Sequence, residues 1–148
     1  MNDNTSYTGY LAWQFSQAMG ARLEKELRTL DLTLAQHSAL QRALNTPGVS
    51  SADAARGAGI TAQSMGAAVN GLVERGLMER RPHATNRRVL CLHITEEGRH
   101  LAERARALVG GVNDDALAIL SPAERATAHD LLHRLVEHLN PAALPPHT

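Results

Sequence analysis

The chain has 148 residues, fifteen acidic and fifteen basic, with one cysteine and only 3% aromatic side chains. This length suits one domain with its own core, and the scarcity of aromatics makes that core one of Leu, Ala and Val, which favours helices. An internal disulfide is excluded. No apolar run approaches the roughly 20 residues that span a bilayer, and MNDNTSYTGY has neither a basic start nor an apolar stretch, so a cytoplasmic protein is expected.

Residues 1 to 6 are polar, and a long helix is predicted from about Tyr7 to Thr29. Leu11, Phe15, Met19, Leu23, Leu27 and Leu30 recur at steps of three or four and form its apolar stripe, with Trp13 off it. A second helix, Leu34 to Leu44, follows the cap residue Thr33, carries Leu34, His37, Leu40 and Leu44 on one face and ends at Pro47-Gly48. Ser51 is the expected cap of a short alanine-rich helix, Ala52 to Gly57, and Gly59 turns the chain into the stretch Ile60 to Gly76. There Thr61 caps, Gly76 stops, and Met65, Val69, Leu72 and Val73 make a buried stripe. The opposite face, Gln63, Ser64, Gly66, Ala67, Ala68, Asn70 and Gly71, lacks the Lys and Glu that usually cover a solvated helix. Small and amide side chains let such a helix approach a surface of donors and acceptors, as the edges of DNA bases are.

A hairpin comes next. Leu77-Met78 and Val89 to Ile94 read as strands, with Pro82 to Asn86 as the turn between them. Arg80, Arg81, Arg87 and Arg88 give +4 over the sixteen residues from Arg80 to Thr95, whereas five acids against two arginines after Ala107 give −3. Zero net charge taken alone argues against nucleic acid; this distribution places a basic surface at the hairpin and its counter-charge at the far end. A hairpin with arginines at its tip beside a bare helix is the layout of a winged helix-turn-helix. Thr95 then caps a helix from Glu96 to about Ile119, carrying Leu101, Ala105, Leu108, Val112 and Ile119, with an interruption expected at Gly110-Gly111. Ser121-Pro122-Ala123-Glu124 opens a last helix that runs to about Leu139, and the tail NPAALPPHT is not helical. Leu131, Leu132, Leu135, Val136 and Leu139 make its apolar face too wide for one neighbour, so the first and last helices are expected to pair with a second copy.

The runs LTLAQHSAL (Leu32 to Leu40), GLMERRPHATNRRVLCLHIT (Gly76 to Thr95) and EEGR (Glu96 to Arg99) resemble the MarR family of bacterial transcriptional regulators. That family shows an LT-x-x-Q helix start, a recognition helix ending in ERGL, a wing with Asp-x-Arg or Asp-Arg-Arg, and an LT-x-x-G opening of the next helix. The resemblance covers about Leu11 to Leu139. It implies a mostly α fold with a small β-hairpin wing, one domain over 1–148, with a DNA-binding lobe at about 32–99 and dimerisation helices at about 7–30 and 100–139. The implied function is a dimeric repressor that binds a pseudo-palindromic double-stranded operator and is tuned by a small ligand. The competing reading is a winged-helix module used for dimerisation, with DNA binding weak or lost.

The candidate DNA-binding residues are Gln63, Ser64, Ala67 and Asn70 of the recognition helix and Arg80, Arg87 and Arg88 of the wing. Gly66, Ala67 and Gly71 stand where the family often has Thr and Arg, which implies fewer base contacts. Asn86 replaces the family's wing Asp, so an arginine there would be held by a neutral bond and the wing would be looser. Tyr10, Trp13 and His37 are candidates to line a small aromatic ligand. His129 and His133, at i and i+4, lack a glutamate between them and are read as solvated or interfacial, with no metal and no cofactor expected. Cys91 is read as a buried strand residue. No Ser-His-Asp order, phosphate loop or carboxylate pair suggests an enzyme.

Overall fold

The computed structural model describes residues 4 to 145 and arranges them as six α-helices and one β-hairpin. Helix α1 (Thr8–Leu27) tightens into a 3-10 turn at Arg28–Leu30, and Asp31 reverses the chain at φ 53°. Helix α2 (Leu34–Asn45) opens with a reciprocal cap: the Thr33 hydroxyl accepts from the Gln36 N–H at 3.0 Å, and the Gln36 side chain accepts from the Thr33 N–H at 3.1 Å. Helices α3 (Ser51–Ala58) and α4 (Ala62–Glu74) form the helix-turn-helix, joined through Gly59. The cap of α3 is Ser50, one residue before the expected Ser51. Ser50 is extended and bridges to Cys91, which aims its hydroxyl at the Asp53 N–H, 3.1 Å away.

Strands β1 (Met78–Pro82) and β2 (Leu90–Ile94) pair antiparallel, with Arg80 opposite Leu92 and Arg81 opposite Cys91. Pro82, expected in the turn, is the last residue of β1; a strand end beside a solvated edge tolerates a missing N–H. Helix α5 (Glu96–Ala116) runs unbroken through Gly110-Gly111, against expectation, and stops before Ile119, which lies in the connection and is 91% exposed. The two glycines forgo about 2 kcal/mol of helix propensity. Burial of Leu101, Ala102, Ala105 and Val112 on both sides of them outweighs that loss. Helix α6 (Pro122–Leu139) begins with its full signal, a Ser121–Glu124 capping box and a first-turn proline.

The core lies where α2, α4, the hairpin, the start of α5 and the end of α1 meet, around Leu27, Leu40, Met65, Val69, Leu72, Met78 and Leu92. Two small residues assigned to the outer face of α4 belong to this packing instead. Ala68 is buried, and Gly71 lies under the Gln36 side chain, where a Cβ would come within 2.7 Å of the amide nitrogen. Gly98 is required for a similar reason: a Cβ there would overlap the Leu77 carbonyl, so α5 can approach the end of α4 only with glycine at that turn. Thr95 ties the same corner, donating to the Gly76 carbonyl at 2.7 Å and accepting from the Gly98 N–H at 3.1 Å.

The apolar stripes of α1 and α6 are only partly covered. Leu11, Phe15, Leu131, Leu132, Leu135 and Leu139 are exposed, and α6 has no buried residue. No helix among the described residues is long and apolar enough to cross a membrane. The C-terminal tail, expected to be non-helical, makes one 3-10 turn at Pro141–Ala143 and is clamped to the lobe by Arg42. The guanidinium donates to the carbonyls of Ala142 (2.9 Å), Ala143 (2.8 Å) and Gly57 (2.7 Å). A Cβ on Gly57 would meet Arg42 Nη1 at 2.6 Å and the Ala142 carbonyl at 2.7 Å, so the three segments can converge only on a glycine.

Candidate nucleic-acid interface

Helix α4 turns Gln63, Ser64, Ala67 and Asn70 to solvent, because Met65, Ala68, Val69 and Leu72 occupy the intervening positions and are buried. The Thr61 hydroxyl accepts from the Ser64 N–H at 3.0 Å and donates to Ser64 Oγ at 2.9 Å, which leaves Ser64 with its own O–H to give. At the other end of α4, Arg75 Nη1 donates to the Asp31 carbonyl at 2.6 Å and fixes the helix to the α1–α2 turn.

The four wing arginines have three different surroundings. Arg80 folds back on the recognition helix and donates to Asn70 Oδ1 at 2.6 Å and to the Gly66 carbonyl at 3.4 Å. Arg81 pairs with Glu79 at 2.9 Å; the charge count that began at Arg80 missed this acid one residue earlier. Arg87 and Arg88, at the tip, are exposed, and their guanidinium groups have no ion pair among the described residues. The tip itself is braced. His83 Nδ1 accepts from the N–H groups of Thr85 (3.2 Å) and Asn86 (3.3 Å), which places the proton of the neutral ring on Nε2. Asn86 Oδ1 accepts the backbone N–H of Arg88 at 3.2 Å, so it shapes the turn and does not hold a guanidinium as expected.

Nothing in the residue types marks Arg80 and Asn70 as partners. The signal was present only as register: β1 leaves the end of α4 through Gly76 at φ 72°, which returns position 80 alongside the helix it has just left.

Of the three candidate ligand residues, Tyr10 is half-buried and accepts at its hydroxyl from Gln14 Nε2 at 3.0 Å, and Trp13 is 56% exposed. His37 is half-buried on α2, and its Nδ1 is out of reach of solvent with no hydrogen-bond partner. Burial pushes its pKa below the ordinary histidine value. The His129 and His133 rings lie 6.2 Å apart, and no group of three or more potential metal ligands is found among the described residues. Cys91 is buried in β2, as read.

The sequence pattern of the MarR family matches residues 30–89. The transcriptional repressor Rv2887 of Mycobacterium tuberculosis is 31% identical over 127 residues, which cover 86% of this chain and 91% of the repressor. The crystal structure of Rv2887 in complex with DNA superimposes with a TM-score of 0.75 at 30% identity, covering 87% of this chain and 97% of that one. Its complex with salicylic acid gives the same TM-score and identity, covering 87% and 96%.

Proposed function

The chain belongs to the MarR family, and from that premise we propose that it is a DNA-binding transcriptional regulator, a dimeric repressor of a pseudo-palindromic operator tuned by a small aromatic acid. The observation that carries this reading is the Arg80–Asn70 bond, which joins wing and recognition helix into one surface. With its oxygen turned to Arg80, the Asn70 amide has its NH2 free, a donor for the acceptors on base edges. Both partners of Arg80 are neutral, so its charge is undiminished beside the groove. Gln63 suits a bidentate pair with adenine, Ser64 has a donor left, and Ala67 can meet a thymine methyl. Arg87 and Arg88 suit phosphates or a narrow minor groove.

The uncovered stripes of α1 and α6 suit a second copy of the chain, and twofold symmetry then sets the recognition helices about one DNA turn, roughly 34 Å, apart. Tyr10, Trp13 and His37 are the residues proposed for the aromatic acid. That Rv2887 has been crystallised both with DNA and with salicylic acid supports this pairing of activities.

The test is fluorescence anisotropy with a duplex from the promoter of the protein's own gene and a scrambled duplex at one salt concentration, with and without salicylate. Tighter binding to the promoter, loosened by salicylate, is expected. Gln63→Ala should weaken promoter binding by about 1 to 3 kcal/mol and scrambled binding far less. Equal affinity for both duplexes would remove sequence-specific regulation, and binding to neither would establish the dimerisation module instead.

A further inference from the structure

A cleft of about 840 Å³ lies between the wing, the turn from α2 to α3 and the C-terminal tail. That size falls within the usual range for small-molecule sites. It takes no wall residue from Tyr10, Trp13 or His37, and Val49, Val89 and Leu144 give it apolar sides.

Three polar side chains on its walls, Ser50, His83 and Asn86, share one character, and Asn45 and Thr46 stand beside them. The Ser50 hydroxyl oxygen accepts from the Asp53 N–H at 3.1 Å, Asn86 Oδ1 from the Arg88 N–H at 3.2 Å, and His83 Nδ1 from the Asn86 N–H at 3.3 Å. Each of these atoms already accepts a bond within the protein, and each side chain still has a donor to give: the Ser50 O–H, the Asn86 NH2 and the His83 Nε2–H. Arg42 adds a guanidinium whose bonds go to neutral carbonyls, with no carboxylate partner among the described residues. Burial lowers its pKa, as for a cation with no anion beside it. The acid on the wall, Asp53, is taken by Arg56. A cleft with donors to spare and its acid neutralised fits a ligand that only accepts.

We propose that this cleft binds a small organic acid, its carboxylate facing Arg42 and the donors of Ser50, His83 and Asn86 and its apolar body lying against Val49, Val89 and Leu144. The site is separate from the one assigned to Tyr10, Trp13 and His37 and does not depend on DNA binding. Its walls come from the wing, the first helix of the helix-turn-helix and the tail, so an occupant touches all three.

The experiment is a titration of the full-length, DNA-free protein, followed by amide NMR, with three probes: 2-naphthoate, uncharged 2-naphthamide and inorganic phosphate. Saturable shifts at Ser50, His83, Asn86, Val89 and Cys91 are expected with naphthoate, and binding of naphthamide and of phosphate should each be weaker by about tenfold or more. Asn86→Asp, an exposed change that replaces the donor with an acceptor, should weaken naphthoate by a similar factor. Val89→Trp should block it by filling the cleft. Naphthoate shifts confined to Tyr10, Trp13 and His37, or no saturation at all, would overturn the site. Equal affinity for naphthamide would overturn the acid, and equal affinity for phosphate would overturn the apolar body.

Discussion

Asn70 shows how one neighbour decides what a side chain can say to DNA. An amide can present either end, and Arg80, 2.6 Å from its oxygen, turns that end inward and leaves the NH2 free. Asn70→Asp would still satisfy Arg80 but would offer an oxygen where the NH2 was and neutralise the arginine. Promoter affinity should then fall by about 1 to 3 kcal/mol, and an unchanged anisotropy titration would show that position 70 does not face a base. The candidate residues were legible from residue type and spacing; the Arg80–Asn70 bond was not, because it depends on the angle at which the hairpin leaves α4. His37 makes a second residue-level case. Its pKa is depressed in the folded chain by burial, so below the ordinary value of 6.5 the unfolded chain takes up the proton first. Stability should be flat above about pH 6.5 and decline as pH falls from there towards the folded-state pKa. His37→Leu should flatten that decline, as read from urea midpoints at pH 7.5 and 5.5; parallel losses in both proteins would place the acid sensitivity elsewhere.

At the level of elements, the caps were the most readable features. Thr33, Thr61, Thr95 and Ser121 all cap where their residue types suggested. The misplacements share a cause, which is that packing between elements overrode a local signal. Ser50 caps α3 because a bridge to Cys91 holds it extended; Ala68 and Gly71 are small because α4 lies close to the core and to α2, where an outward face had been assigned. Gly110 and Gly111 are helical because the residues around them are packed. A Cβ at either would meet nothing within 4 Å. Gly110→Ala and Gly111→Ala should therefore each stabilise by about 1 kcal/mol and raise the thermal midpoint. A lowered midpoint would mean that this stretch of α5 is covered in the assembled protein.

For the whole molecule, the informative observation is a helix with no core of its own. α6 leaves Leu131, Leu132 and Leu135 each close to half exposed, and the width of that stripe was visible in the sequence. What the sequence did not show was that the tail after α6 returns to the lobe, since NPAALPPHT carries no pattern that names its seat. Leu135→Glu should convert a dimer into a monomer by light scattering at micromolar concentration and weaken promoter binding, because one recognition helix then acts alone. Wild-type mass at the monomer value would remove the dimer from the proposal. The clamp on the tail has one more consequence, for how such a chain tolerates change over time. Arg42 grips main-chain carbonyls, which every amino acid possesses, so residues 142 and 143 can drift in identity while the tail keeps its place. The freedom is one-sided: neither a shorter cation at position 42 nor any side chain at position 57 would leave the grip intact.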